Sequence, residues 1–149
     1  MQSILLALPV MAAASLPAAA TGGFSCSAGD DSLRFKAESG MSRGMGGVLL
    51  GFRARLDITL DGISEDLKSL TLDDALTHSW IDGKSIKLQF YSERPDEPFR
   101  SVDFIVETAA VDEGAYRGQY TLTIFDTPVS DDADREMWTA EGYVTCYAE

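Results

Sequence analysis

Residues 52–60 read Phe52-Arg53-Ala54-Arg55-Leu56-Asp57-Ile58-Thr59-Leu60, with an apolar side chain at every second position. A period of two is typical of a β-strand with one buried face and one face in water, whereas a helix repeats every 3.6 residues. The same alternation occurs over residues 32–39, and the glycine-rich residues 40–50 separate the two stretches. We therefore expect a β-hairpin whose flexible loop covers residues 40–50.

The hairpin has a definite outer face if Phe35 lies opposite Leu56. The outward pairs are then Arg34 with Asp57, Lys36 with Arg55, and Glu38 with Arg53. Two of these pairs join opposite charges, and the third joins like charges, which is tolerable on a face exposed to water. We take this register as the hypothesis for the outer face of the hairpin.

Short alternating stretches recur along the rest of the chain, separated by turn signals such as Asp82-Gly83 and Asp112-Glu113-Gly114. The expected strands lie near residues 24–28, 32–39, 52–60, 76–81, 85–90, 99–109, 115–125 and 136–147. Residues 61–75 fit either a helical turn or a short strand. No room is left for crossover helices, so we expect an all-β fold, an antiparallel sandwich or barrel of about seven to eight strands.

The first 20 residues carry no charged side chain, and their apolar stretch ends in Ala18-Ala19-Ala20. An apolar segment that ends in small residues is the pattern of a secretory signal peptide, although the usual basic residue near its start is missing. A membrane anchor is the alternative, but two prolines interrupt this short stretch and make it a poor span. We expect a signal peptide over residues 1–20, a single β domain over residues 21–149, and a periplasmic or secreted location.

The only two cysteines, Cys26 and Cys146, lie near the two ends of the predicted domain. In an oxidising compartment such a pair predicts a disulfide bond. Alternation places Cys26 on the face of Phe24 and Cys146 on the face of Val144, so both sulfurs point inward. Acylation of Cys26 as a lipoprotein is the alternative, but it would leave Cys146 without a partner.

Composition excludes several classes of function. The net charge of −12 argues against nucleic-acid binding, which needs a basic surface. One His and two Cys are too few ligands for a zinc finger, a haem or an iron–sulfur cluster. The acidic clusters could bind calcium in principle, with residues 131–134 the best candidate, but none follows the EF-hand spacing, and Asp at loop tips is also ordinary turn chemistry. We expect no cofactor, no metal site and, after cleavage, no integral membrane segment.

Catalysis has one candidate constellation. Residues 40–44 match the Gly-x-Ser-x-Gly pattern of hydrolases through Ser42, and His78 is the only histidine that could act as a base. That pattern requires a helix after the serine, whereas a strand is predicted here. His78 alternates with Leu76 and Trp80, which predicts a partly buried structural histidine. A hydrolase that uses Ser42 and His78 is therefore an alternative to a noncatalytic protein.

The charge is unevenly distributed. Residues 34–55 contain five basic side chains and one acid, a local charge of +4, while residues 56–149 contain 7 bases and 21 acids, a local charge of −14. The five basic side chains are Arg34, Lys36, Arg43, Arg53 and Arg55. Such asymmetry steers one sign of partner to one face. We expect a noncatalytic binding or structural module whose basic hairpin face binds an acidic protein or an anionic envelope component. The alternative is a β-barrel that binds a small apolar ligand in its interior.

Overall fold

The computed structural model describes residues 21–42, 47–96, 98–127 and 136–149. Nine strands form one antiparallel sheet, and the described residues contain no α-helix. The strands are β1 (Thr21–Gly29), β2 (Leu33–Ser42), β3 (Val48–Ile58), β4 (Ser69–Thr71), β5 (Leu76–Ile81), β6 (Ser85–Arg94), β7 (Arg100–Asp112), β8 (Ala115–Asp126) and β9 (Glu136–Ala148). The predicted all-β antiparallel class is confirmed. The additional strand is β4, which follows a 3-10 helix at Glu65–Leu67, so the segment 61–75 contains both of the structures expected for it.

The sheet has the order β4-β3-β2-β1-β9-β8-β7-β6-β5 and curls into a half-barrel. Its two edge strands, β4 and β5, are consecutive in the chain and are joined only by residues 72–75. Four residues can span at most about 14 Å, so the sheet must curl until its edges approach. Leu72 N–H donates to the Ala54 carbonyl of β3, and Tyr91 N–H of β6 donates to the Ala75 carbonyl. The connecting segment is therefore hydrogen-bonded to both halves of the sheet.

Aromatic side chains fill the concave side of the sheet. Phe35 of β2 lies 4.7 Å from Phe104 of β7 and 5.5 Å from Phe90 of β6, measured between ring centroids. Tyr120 of β8 extends the cluster, 5.5 Å from Phe104. All four rings are buried. The contacts of Phe35 join strands that are far apart in the sheet order, so the two halves of the curled sheet pack on each other.

A polar cluster fixes residues 61–67 across one end of the half-barrel. The buried carboxylate of Asp126 accepts hydrogen bonds from Arg100 Nε at 3.0 Å and from the Ser64 backbone N–H at 2.8 Å. Arg100 and Arg94 both reach Asp66, each at 2.9 Å. Ile63 and Leu67 of the same segment are buried and belong to the hydrophobic core.

Cys26 and Cys146 form a disulfide bond with an S–S distance of 2.01 Å, and the predicted bridge is confirmed. The two residues lie directly opposite each other in β1 and β9, and both side chains are buried as their alternation predicts. The register of β1 with β9 covers only residues 24–27 and 145–148. The bond therefore links the first strand to the last across a short joint.

The β2–β3 hairpin has the predicted register. Phe35 pairs with Leu56, and the three outward pairs follow as expected. The predicted loop over residues 40–50 was wrong in extent, because strand pairing continues to Ser42 and resumes at Val48. A bulge that sets Gly51 and its neighbour opposite Ser39 permits this extension, and Gly51 takes a left-handed φ of 64° that favours glycine.

No helix within the described ranges is long and apolar enough to cross a bilayer.

Candidate binding groove on the outer face

The convex face of β1 carries only small side chains. Gly23, Ser25, Ser27 and Gly29 point outward, while Cys26 and its inward neighbours enter the core. β1 lies between β2 and β9, whose outward side chains are longer. The small residues therefore form the floor of a trough that runs along β1 for about 20 Å, at roughly 3.4 Å per residue. We call this trough the outer groove.

Four predicted basic residues form one wall of the outer groove. Arg34 and Lys36 come from β2, and Arg53 and Arg55 come from β3; all four are exposed. Lys36 lies directly opposite Ser27 on one side and Arg55 on the other. We call these four residues the basic wall. The fifth predicted residue, Arg43, lies outside the described residues.

Two tyrosines of β9 form the opposite wall. Tyr143 is 82% exposed and Tyr147 is 56% exposed, and Tyr147 lies opposite Ser25 of the floor. Between them Thr145 pairs with Ser27, with 3.5 Å between the two hydroxyl oxygens. We call Tyr143 and Tyr147 the tyrosine wall. Cations and hydroxyls thus face two large aromatic side chains across a floor of small residues.

The groove is continuous along the strand. A depression of about 850 Å³ lies at the end near Gly29 and Tyr143, and one of about 580 Å³ lies at the end near Ser25 and Tyr147. Both depressions are lined by Ser27, Lys36 and Arg55. An extended ligand can therefore contact both tyrosines and the basic wall at once.

Most carboxylates along the groove already have partners within the protein. Arg55 Nε lies 3.1 Å from Asp57, and the hydrogen bonds from Arg55 and then from Ser69 lower the pKa of Asp57. Asp73 accepts a hydrogen bond from the Ala54 backbone N–H at 2.8 Å. These carboxylates have less capacity left for a ligand.

Asp30 lies at the rim of the groove and is hydrogen-bonded to Tyr120, a residue of the core. Tyr120 Oη donates to Asp30 at 2.5 Å, and the backbone N–H groups of Ser32 and Leu33 donate to the other oxygen. Burial alone would raise the pKa of Asp30, but these three hydrogen bonds together lower it below its ordinary value. Burial, with the bond to Asp30, raises the pKa of Tyr120. The turn between β1 and β2 is thereby fixed to β8.

The remaining charges along the groove are mixed. Lys36 and Arg53 form no salt bridge within the described part of the chain, although Glu38 lies opposite Arg53 in the strand register. Glu38 and Asp31 likewise have no side-chain hydrogen bond to any described residue. The sequence predicted an outer face of net positive charge that includes Glu38 and Asp57. The fold adds Asp31 to this surface, so unpaired cations lie beside carboxylates that can still accept hydrogen bonds.

Ser42 and His78 are placed on different strands. Ser42 is half-buried at the end of β2, in strand pairing rather than at a strand-to-helix turn. The expectation of a partly buried His78 was wrong, because a bulge between Leu76 and His78 shifts the alternation and leaves His78 exposed opposite Gln89. Among the described residues, neither side chain hydrogen-bonds to the other or to a carboxylate. The two residues form no assembled catalytic pair there.

The other candidate sites fall in different places. Within the described ranges, no three His, Cys, Asp or Glu side chains are grouped as metal ligands. The acidic residues 131–134 and the predicted signal peptide over residues 1–20 lie outside the described residues. The concave interior, the expected place for an apolar ligand, is occupied by the packed rings of Phe35, Phe90 and Phe104.

Two further features of this surface, the tyrosine wall and Arg117, were not predicted from the sequence. Arg117 of β8 lies opposite Thr145 of β9, so it continues across the sheet the row formed by Lys36, Ser27 and Thr145. Arg117 is exposed and forms no salt bridge with the described residues. The available signal was the alternation in β9, where odd-numbered residues point outward. That signal becomes useful only once β9 is known to lie beside β1.

No known family model, curated protein or solved structure matches this chain.

Proposed function

We propose that residues 21–149 form an exported, noncatalytic binding module and that the outer groove binds an anionic partner through the basic wall. The observation that carries this proposal is the state of Lys36 and Arg53. Both are exposed and form no salt bridge among the described residues, and they share one face with Arg34 and Arg55. A protein of net charge −12 that presents unpaired cations on one face has a surface suited to an anion.

Export is supported by two independent features. The first 20 residues are uncharged and end in three alanines, and the disulfide between Cys26 and Cys146 belongs to an oxidising compartment. Intact-mass measurement of protein recovered from a secreting host tests this part. We expect a chain that begins at Thr21 and has lost two hydrogens at the cysteines. A chain that retains Met1 would contradict export by this leader.

The noncatalytic part of the proposal is supported by Ser42, whose side chain forms no hydrogen bond with a base among the described residues. A hydrolase needs a nucleophile, a base and an orienting group in hydrogen-bond reach of one another. Turnover of an ester or glycoside substrate that Ser42→Ala or His78→Ala abolishes, with the fold intact, would show that the protein is an enzyme.

Binding should be electrostatic and therefore weakened by salt. Each exposed Lys or Arg near an anionic surface contributes about 1 kcal/mol, and the charges are screened over about 8 Å at physiological ionic strength. Removing two such contacts should weaken binding by about thirtyfold. Lys36 and Arg53 are the residues to reverse, because Arg55 is bonded to Asp57 and Ser69 and its replacement would also disturb the strand.

The test is a titration with carboxymethyl dextran of low substitution, a polyanion with widely spaced charges, with neutral dextran as the ligand control. We expect binding of carboxymethyl dextran that falls with added salt and is weakened at least about thirtyfold in Lys36→Glu/Arg53→Glu. The matched protein control is Lys84→Glu, which reverses an exposed cation in the turn between β5 and β6 and should leave binding within about twofold. Affinity that is indifferent to both salt and the double reversal would show that the basic wall is only a solvated strand face.

A further inference from the structure

We infer that the ligand of the outer groove is a linear acidic polysaccharide that lies along β1 between the basic wall and the tyrosine wall. This inference rests on the proposed function, because it names the class of anion that the basic wall binds. Three properties of the groove carry it: its position in the sheet, its mixture of charges and its exposed tyrosines.

The position of the groove argues against an extended acidic peptide. Peptides that bind to sheets add a strand at an exposed edge, where backbone hydrogen bonds supply the affinity. β1 has no free edge over the paired residues, because β2 and β9 occupy both sides of it. A chain that lies over the face of β1 must be recognised through side chains alone. A polymer whose own polar groups project all along its length suits this position.

The mixture of charges argues against a uniformly charged polyanion. Lys36 and Arg53 offer donors to acidic groups, but Glu38 and Asp31 would repel a ligand that carried a negative charge at every unit. The same two carboxylates are good acceptors for hydroxyl groups, since an ionised carboxylate forms strong charge-assisted hydrogen bonds. A polysaccharide with acidic groups at intervals and hydroxyls between them satisfies both kinds of side chain.

The tyrosine wall supplies the third property. Tyr143 and Tyr147 are four residues apart on the same face of β9, so their side chains start about 13 Å apart along the strand. A tyrosine ring offers an apolar face for the C–H groups of a sugar ring and a hydroxyl for its polar edge. Ser25, Ser27 and Thr145 add hydroxyls between and beside the two rings. The groove thus alternates stacking surfaces with hydrogen-bonding groups along its length.

The test compares three ligands of similar chain length by calorimetric titration: hyaluronan oligosaccharides, which carry one carboxylate per disaccharide; poly-glutamate; and a neutral dextran oligosaccharide. We expect hyaluronan to bind at least about tenfold more tightly than either of the other two. Tyr143→Ala/Tyr147→Ala should weaken hyaluronan binding by about tenfold. Tyr91→Ala is the matched control, because Tyr91 is also exposed on the convex face but lies on β6, away from the groove.

A groove-filling variant tests the location without removing any contact. A Cβ atom added at Gly29 would meet no atom within 4 Å, and Gly29 has no positive φ, so we expect Gly29→Phe to fold normally and to block the end of the trough near Tyr143. Gly29→Ala adds a single methyl group at the same position and serves as its control. We expect Gly29→Phe to lose hyaluronan binding and Gly29→Ala to keep it, with the melting temperatures of both near that of the wild type.

The outcomes separate this inference from the proposed function. If poly-glutamate binds as tightly as hyaluronan and the tyrosine variants bind normally, the polysaccharide inference is overturned and binding of an anionic partner stands. If no anionic ligand binds, or if Lys36→Glu/Arg53→Glu changes nothing, both fail. Binding of hyaluronan that Gly29→Phe leaves unchanged would place the site elsewhere and overturn the inference.

Discussion

Reduction of the Cys26–Cys146 bond should destabilise the fold severely. The bond closes a sequence separation of 120 residues and joins β1 to β9 behind the outer groove, where the strand pairing covers only four residues on each side. The chain-entropy relation for a loop of this length gives a loss of about 5 kcal/mol. The unfolding entropy of a 129-residue chain is about 270 cal/mol/K, so the melting temperature should fall by about 18 °C.

The assay is thermal unfolding followed by circular dichroism, with oxidised wild type compared with wild type reduced under denaturing conditions and then refolded in reductant. The reduced protein retains both side chains, so the difference reports the covalent link and not a cavity. Cys26→Ala/Cys146→Ala should show the same loss plus a small term for the missing sulfurs. A fall of less than about 4 °C, equivalent to about 1 kcal/mol, would refute the reasoning that this link holds the two ends of the sheet together.

Further predictions concern acid stability, the end cluster and one close strand contact. The pKa of Asp30 in the folded protein lies below its ordinary value of 3.8, so the ionised carboxylate contributes its full stabilisation above pH 3.8 and loses it as the pH falls through the folded-state pKa. In Asp30→Asn, the free energy of unfolding should therefore fall less steeply with decreasing pH in this acidic range than it does in the wild type. Asp126→Ala should cost about 3 kcal/mol in urea unfolding, because it removes a buried partner of Arg100, and a cost under about 1 kcal/mol would contradict that role. A methyl group at Gly118 would overlap a backbone carbonyl of β7, so Gly118→Ala should yield little folded protein, and a near-native melting temperature would show that the strands can separate there.

Local alternation was sufficient to predict the β2–β3 hairpin. One apolar face must be buried, and a register slipped by one residue would expose Phe35 and Leu56, so alternation fixes which side chains point inward. A slip of two residues would keep both buried, so the pairing of Phe35 with Leu56 was a hypothesis that the structure bears out. The same parity placed Cys26 and Cys146 inward. The cysteines also carried the only long-range information in the sequence, since their bond implies that β1 lies beside β9.

The alternation of apolar and polar residues could not predict the bulges or the pairing of strands that are distant in sequence. The bulge beside His78 reverses which face a side chain takes, and the bulge opposite Ser39 lets β2 and β3 extend into the predicted loop. Neither bulge interrupts the alternation of apolar and polar residues clearly enough to be predicted from the sequence. For the same reason, only one wall of the outer groove could be predicted from the sequence. Its basic wall lies within one hairpin, whereas Tyr143 and Tyr147 reach it only through the pairing of β1 with β9.

The disulfide and the groove are physically connected. Cys26 lies between Ser25 and Ser27 of the groove floor, and its partner lies between Thr145 and Tyr147 of β9. The bond on the inner face therefore fixes the distance between the floor and the tyrosine wall on the outer face. Reduction of the bond should therefore loosen the pairing of the floor with the tyrosine wall as well as lower the melting temperature.

Binding in the outer groove can be mapped by an ¹H–¹⁵N chemical-shift titration of the oxidised protein with hyaluronan oligosaccharide. We expect the largest shifts in the backbone amides that line the groove, those of Ser25 and Ser27 on β1, Lys36 on β2 and Thr145 on β9. These shifts should disappear in Lys36→Glu/Arg53→Glu. Shifts that concentrate on the outer faces of β5 to β7, or that survive the charge reversal unchanged, would contradict binding in the outer groove.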